Sequence, residues 1–268
     1  LSQQLKEKLN QKHFFNMVGY YEDKIEIKKN KVLKLSDNPD RIKFLHNQYE
    51  WLCSVKKLLP FNIPSGLSKL DNGYNMKHYT DLKSINASDF EDIISYINII
   101  KTKNNTIPMF QTYLSYIDSV VEQQGMFMPR WINIRKELEL FDEFANNERS
   151  FCHGDLTVNN ILCKENAIFL INPNFKESMW QSYYLDFAKL FQELHIKEPF
   201  LFNVLVNKLI EKNNLKIKSL IFIHLLELTH YIRMFPYLKN YSDNFYERVS
   251  EFEIKEIYTF NLINSLII

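Results

Sequence analysis

An acid and an amide stand five residues apart in the segment Phe151-Cys-His-Gly-Asp-Leu-Thr-Val-Asn-Asn-Ile-Leu-Cys163, just ahead of an apolar run. They are Asp155 and Asn160. A carboxylate that takes a proton from a hydroxyl and an amide that helps hold a metal ion on ATP are two parts a phosphoryl-transfer loop uses. His153 and Gly154 precede the acid and would shape such a loop. Two further segments follow in order, Phe169-Leu-Ile-Asn-Pro-Asn-Phe175 and Tyr184-Leu-Asp-Phe-Ala-Lys-Leu190. A His-Gly-Asp tripeptide alone reads equally well as a polar loop between a helix and a hairpin. The ordered set is far more specific.

That set resembles the catalytic core of the aminoglycoside phosphotransferase and choline kinase-like families, relatives of the protein kinases. Within the group it is most similar to bacterial phosphotransferase-like proteins encoded with capsule or surface-sugar genes. The core match covers roughly residues 150 to 190, with a weaker match from about 30 to the C-terminus. The resemblance implies an α+β, two-lobed protein kinase-like fold, with a small strand-rich N-terminal lobe, a larger mainly helical lobe and a cleft between them. It implies ATP and Mg²⁺ as cofactors and a small-molecule hydroxyl, such as a sugar or surface-glycan precursor, as acceptor. By the same resemblance Asp155 is the base, with His153 beside it in the catalytic loop. Asn160 is a magnesium ligand, and Asp186 is the buried acid that braces the loop from the following helix.

One position departs from the family pattern. Where the family carries a metal-binding aspartate before a proline, this chain has Asn172 in Leu170-Ile-Asn-Pro-Asn174. Mg²⁺ is a hard cation that prefers carboxylate and phosphate oxygens. A neutral amide should therefore weaken metal binding and could abolish turnover. The sequence leaves three origins open: engineered inactivation, natural loss or tolerated variation. It also leaves open a second function, that of a catalytically impaired nucleotide-binding or interaction protein.

Around these residues the chain supplies elements to position them. Ile25 to Leu35 alternates with period two about the polar turn Lys28-Lys-Asn-Lys31 and predicts a hairpin. Lys34 ends its second strand. Spacing alone reads it as a solvent-facing lysine on an edge strand, whereas the resemblance makes it the lysine that contacts ATP phosphates. Asn38-Pro39 is a helix start, with Asn as cap and Pro in the first turn, and the helix runs to about Leu59. Glu50 on that helix would pair with Lys34, or else lie on the surface. Gly73 to Tyr79 reads as a strand, an ordinary edge strand on the residues alone; the resemblance makes it the lead to a hinge, where backbone groups near Met76 and His78 would meet adenine. The expected lobes are residues 1–79 and 80–268. Ser88-Asp-Phe-Glu91 has the capping-box pattern. A single helix is expected from Pro129 to Asn147. Short strands then pair across Lys164-Glu165-Asn166, and mainly helical structure follows from Tyr184.

Composition narrows the remaining classes. The chain has 268 residues, 46% of them hydrophobic, which is enough for a large core. A formal net charge of +1 recommends neither nucleic acid nor an anionic membrane as partner. Three cysteines without a Cys-x-x-Cys pair give no disulfide scaffold, and zinc-type spacing is missing. Gly-x-Gly-x-x-Gly and P-loop patterns are absent. No secretory leader pattern and no 18-residue apolar run is present, so a cytoplasmic protein without a membrane span is expected. The chain begins at Leu1 without Met, which leaves a longer natural start open. The oligomeric state is not set by the sequence.

Overall fold

The computed structural model describes residues 23–58, 63–80, 83, 85–86, 89–101, 104–124, 128–164, 167–174, 178–213, 215–238 and 242–265. The chain forms two compact units, Leu1–Leu82 and Lys83–Ile268, in a two-lobed α+β arrangement.

In the first unit the alternating segment folds as the expected hairpin of β1 (Lys24–Lys28) and β2 (Lys31–Leu35). With β3 (Ser68–Leu70) and β4 (Gly73–Lys77) they make a four-stranded antiparallel sheet in the order β1-β2-β4-β3. β2 is therefore a central strand, which corrects the edge-strand reading of Lys34. Lys34 faces Tyr74 across the β2–β4 pair and is only 7% exposed. Gly73 is required where β4 meets β2, since a Cβ there would lie 1.9 Å from the Lys34 carbonyl oxygen. Helix α1 (Pro39–Leu58) packs on the sheet. Its start is capped as the sequence predicts: the Asn38 Oδ1 accepts from the Asp40 and Arg41 amides at 2.9 and 3.3 Å.

The second unit carries α2 (Phe90–Ile100), α3 (Phe110–Gln124), α4 (Met128–Glu139) and α5 (Asp142–Asn147). Ser88 of the expected capping box lies outside the described residues. The single helix expected from Pro129 to Asn147 is two helices. The amides of Leu140 and Phe141 turn back to the carbonyls of Glu137 and Leu138, three residues away. That tight last turn ends α4, and Phe141, at φ −99° and ψ 6°, begins α5 anew.

A 3₁₀ turn (Val158–Asn160) leads into β5 (Ile161–Lys164), which pairs antiparallel with β6 (Ala167–Leu170). Four helices complete the unit: α6 (Tyr183–Leu194), α7 (Pro199–Asn213), α8 (Ile217–Leu238) and α9 (Ser242–Asn264). α8 is buried on every face from Ser219 to Ile232, because α6, α3 and α9 surround it. Its Phe222 meets the rings of Phe110, Phe141, Trp180 and Tyr184 at centroid distances of 5.2 to 6.0 Å. These edge-on and stacked contacts add to the area they bury. They fix the start of α6, from which the segment around His153 and Gly154 is held. No helix among the described residues is long and apolar enough to cross a membrane.

Candidate active site

The segment from Cys152 to Thr157 is irregular backbone, so its polar groups need partners outside the sheet ladder. Asp186, in the first turn of α6, supplies two of them. Its Oδ2 accepts from the His153 amide at 2.8 Å, and its Oδ1 accepts from the Gly154 amide at 2.9 Å. Two successive amides can point at one carboxylate because Gly154 adopts φ 78°, a left-handed conformation that glycine takes without strain. Complete burial pushes the Asp186 carboxyl up to about 7, while the two amide donors act in the opposite sense.

The end of the helix that carries Asp186 is itself sewn to the loop. Ser182 caps α6 and donates through Oγ to the Glu148 carbonyl at 2.7 Å. The Ser150 hydroxyl accepts from the Tyr183 amide at 3.0 Å.

His153 is fully buried, and burial lowers its imidazole to about 4. It is thus neutral near pH 7. Its Nε2 lies 2.8 Å from the Ile171 carbonyl oxygen and, carrying the proton, donates to it. The Asn174 amide donates back to the His153 carbonyl at 2.8 Å. His153 therefore fastens the loop to the chain leaving β6.

Asp155 remains partly exposed, with a third of its side chain open. Asn160 Nδ2 donates both to its backbone carbonyl, at 2.8 Å, and to its Oδ2, at 3.0 Å. Asn172 Nδ2 donates in turn to Asn160 Oδ1 at 3.0 Å. The two amides singled out as metal positions are thus adjacent, although they lie 12 residues apart in sequence. Asn172 sits at φ 57°, where asparagine is among the few side chains tolerated.

This donor set is a poor fit to Mg²⁺. The ion prefers oxygen ligands and is usually held through one or two carboxylates. Here both groups are neutral, and the Asn172 amide hydrogen already fills the space between them that a cation would need. The neighbouring carboxylate, Asp155, is engaged by Asn160.

Solved structures with the same architecture include a choline kinase, LicA, from Streptococcus pneumoniae, at TM-score 0.63 and 12% identity over 94% of this chain and 98% of that one. The fold is choline and aminoglycoside kinase-like. A choline/ethanolamine kinase family protein from Mesorhizobium loti matches at TM-score 0.59 and 8% identity, over 91% and 86% of the two chains. A macrolide 2′-phosphotransferase type I matches at 0.60 and 10%, over 97% and 98%. No protein-family model and no curated protein matches the sequence. At such identities the likeness establishes the kinase-like fold, and chemistry must be argued from the residues.

Within the first unit, Lys34 Nζ donates to Gln48 Oε1 at 3.0 Å, and the Tyr74 hydroxyl donates to the same oxygen at 3.2 Å. Burial lowers the Lys34 ammonium to about 8. The expected Lys34–Glu50 pair is absent: Glu50 lies on the exposed side of α1 and pairs with Lys69 at 3.0 Å. Positions two apart on a helix face roughly opposite ways, so Gln48 and not Glu50 meets the sheet.

At the expected hinge, Met76 is buried and pairs with Val32 in the β2–β4 register. The amides of Lys77 and His78 donate to the Ser65 and Asn30 carbonyls at 2.8 Å. An adenine contact at His78 would therefore have to use its carbonyl, because its amide is already engaged.

Sequence reasoning missed Lys189. Its Nζ lies 3.7 Å from Asp155 Oδ1 and donates to Gln192 Oε1 at 2.8 Å. Its spacing was a usable signal, since Asp186 and Lys189, three apart on α6, share the face that meets the loop.

A His/Glu cluster was also not expected from spacing, yet the ligand atoms of His195, His224 and Glu227 lie within 4.8 Å of one another. Lys255 Nζ lies 3.1 Å from Glu227 Oε1, and burial lowers the lysine to about 6 while it raises the carboxyl, so both are pushed toward their neutral forms. The cluster is assembled by the packing of α8 with its neighbours, which no local spacing announces.

Proposed function

We propose that the chain is an ATP-dependent phosphotransferase acting on a small-molecule hydroxyl, with Asp155 as the base. One observation carries the reading. Asp155 is the partly exposed carboxylate of a loop held on both sides of it: Asp186 grips the amides before it, and Asn160 grips the Asp155 carbonyl and carboxylate. An acceptor hydroxyl placed at Asp155 would lose its proton to the carboxylate as its oxygen bonds to the γ-phosphorus. The bond from that phosphorus to the β,γ-bridging oxygen breaks, and ADP leaves.

Asp186 and His153 position the loop and do not touch the reacting atoms. Lys34 is proposed to contact the ATP phosphates, and the backbone near Met76 and His78 to contact adenine. ATP is the proposed donor, and any Mg²⁺ on its phosphates would have to be held without charge from Asn160 and Asn172. A sugar or surface-glycan precursor as acceptor, and a cytoplasmic setting, belong to the same reading.

Asn172 supports a second reading, a protein that binds nucleotide without transferring phosphate. A transfer assay with Mg·ATP and pooled alcohols and sugars tests the first. Wild type should turn over, and Asp155→Asn should lower turnover roughly 100- to 10,000-fold with unchanged circular dichroism and nucleotide affinity. A fully active, folded Asp155→Asn protein would remove Asp155 from the chemistry.

A further inference from the structure

His195, His224 and Glu227 each bring a ring nitrogen or a carboxylate oxygen to within 4.8 Å of the other two. His224 and Glu227 lie three apart on α8 and so share a face. His195 directly follows Leu194, the last residue of α6. The His224 Nδ1 and Glu227 Oε2 atoms are 3.1 Å apart. Rings wall the group. Phe202 stacks on His195 at 3.9 Å, and Tyr258 stands edge-on to both imidazoles at 5.1 Å. Glu227 is completely buried and His224 nearly so, while His195 is half-buried and gives a way in.

Polar atoms buried this deeply are normally hydrogen-bonded. Here His195 Nδ1, Glu227 Oε1 and Lys255 Nζ are buried and make no hydrogen bond among the described residues. Lys255 Nζ comes to 3.1 Å from Glu227 Oε1, but without hydrogen-bond alignment. The unsatisfied groups include an imidazole and a carboxylate, the donor types that hold zinc.

Two imidazoles and one carboxylate suit a borderline ion such as Zn²⁺, whereas Mg²⁺ takes oxygen ligands. Tetrahedral zinc, bonded at about 2.0–2.2 Å, sets its ligand atoms roughly 3.4 Å apart. The His224–Glu227 pair already has close to that spacing. His195 closes the rest from the end of a helix, where the chain gives most readily.

We propose that His195, His224 and Glu227 form a zinc-type metal site that clamps the end of α6 to α8, with water as the fourth ligand. Lys255 is the cation already drawn to the same carboxylate, and a bound metal takes over that role. The site is separate from the Asp155 loop, and the inference does not rest on the phosphotransferase reading. It bears on that loop through α6. Asp186, which grips the His153 and Gly154 amides, lies in the first turn of the helix whose end the metal pins.

The test uses the full chain, stripped with EDTA and dialysed into metal-free buffer. Calorimetric titration with Zn²⁺ should show one ion per chain, bound at roughly micromolar Kd or tighter, and an excess of Mg²⁺ should not compete. Co²⁺ in its place should give the intense visible bands of tetrahedral cobalt. His195→Phe keeps a ring against Phe202 and removes the ligand. It should weaken Zn²⁺ binding at least about 100-fold, more than the loss of a group that merely orients a ligand. It should also abolish the cobalt bands and the zinc-dependent rise in Tm. Glu227→Gln should do the same, and Lys255→Met should bind zinc at least as tightly as wild type. Circular dichroism checks each fold, and where a buried substitution fails to fold, His195→Phe decides. Zinc binding unchanged in folded His195→Phe would place the ion on surface groups and overturn the site. Failure of stripped, folded wild type to bind Zn²⁺ would overturn it as well.

Discussion

Asn172 holds its amide hydrogen against Asn160 Oδ1 at 3.0 Å, where a metal-bound kinase site would need two oxygens facing a cation. Replacing it by aspartate changes the charge and removes that hydrogen together. Two oxygens would then face each other without the amide hydrogen, an arrangement that a cation or a proton relieves. Asn172→Asp is therefore expected to be less stable than wild type without metal, by about 1–3 kcal/mol, as for a buried polar group deprived of its partner. It is also expected to bind Mg·ATP more tightly and to raise phosphoryl transfer. Melting with and without Mg²⁺, followed by titration with ATP, checks this. Equal stability and equal, magnesium-independent affinity in the two proteins would show that position 172 is not a metal site. The left-handed backbone at φ 57° is no obstacle to the exchange, since aspartate shares asparagine's tolerance of it.

The loop as an element depends on its two fastenings, Asp186 from α6 and His153 toward Ile171. His153 titrates at about 4 in the folded chain, below its ordinary 6.5, because burial disfavours the imidazolium. The unfolded chain therefore takes up a proton near pH 6.5 and the folded chain does not until near 4. Stability contributed by the neutral histidine is present above 6.5 and is lost as pH falls through that window. The slope is about 1.4 kcal/mol per pH unit, or about 3 kcal/mol in all. Gln in place of His153 can still donate to the Ile171 carbonyl but cannot titrate. Denaturant unfolding from pH 7 to 4 should thus show wild type losing its advantage over His153→Gln. Parallel curves would mean that the folded loop accepts the proton. At this scale the sequence was legible where signals are local. The Asn38-Pro39 start, the β1–β2 hairpin and the β5–β6 pair all follow from neighbouring residues. It was misleading where one turn decides the outcome. The stop at Leu140 is a matter of two amides bonding three residues back, and Glu50 was named as the partner of Lys34 although the stripe of Leu45 and Leu52 places its neighbour Gln48 on the inner face. The Asp155–Asn160–Asn172 line could be anticipated only through the resemblance, because contacts over five and 12 residues across a turn leave no periodicity.

The whole molecule carries a choline and aminoglycoside kinase-like fold, and the two functional readings proposed for it separate at this scale. A nucleotide that binds the folded chain alone raises its stability by RT ln(1 + [L]/Kd), about 2.7 kcal/mol at a hundredfold excess over Kd. For a chain of this size that is a rise in Tm of roughly 5–10 °C. Both readings predict the rise with ATP. They differ in what Mg²⁺ adds. In a working transferase, chelating Mg²⁺ with EDTA should halt turnover and remove most of the rise, because the phosphates then enter with their full negative charge. In a nucleotide-binding protein that has lost transfer, Asn160 and Asn172 make no demand for the ion, and the rise should survive EDTA. A transfer assay on the same samples completes the comparison. A rise that needs Mg²⁺, accompanied by turnover, supports the transferase and shows that asparagine at 172 is tolerated. A rise indifferent to Mg²⁺, without turnover, supports the nucleotide-binding protein. No rise with ATP at millimolar concentration, with or without Mg²⁺, would remove the nucleotide from both readings and leave the kinase-like fold serving another ligand.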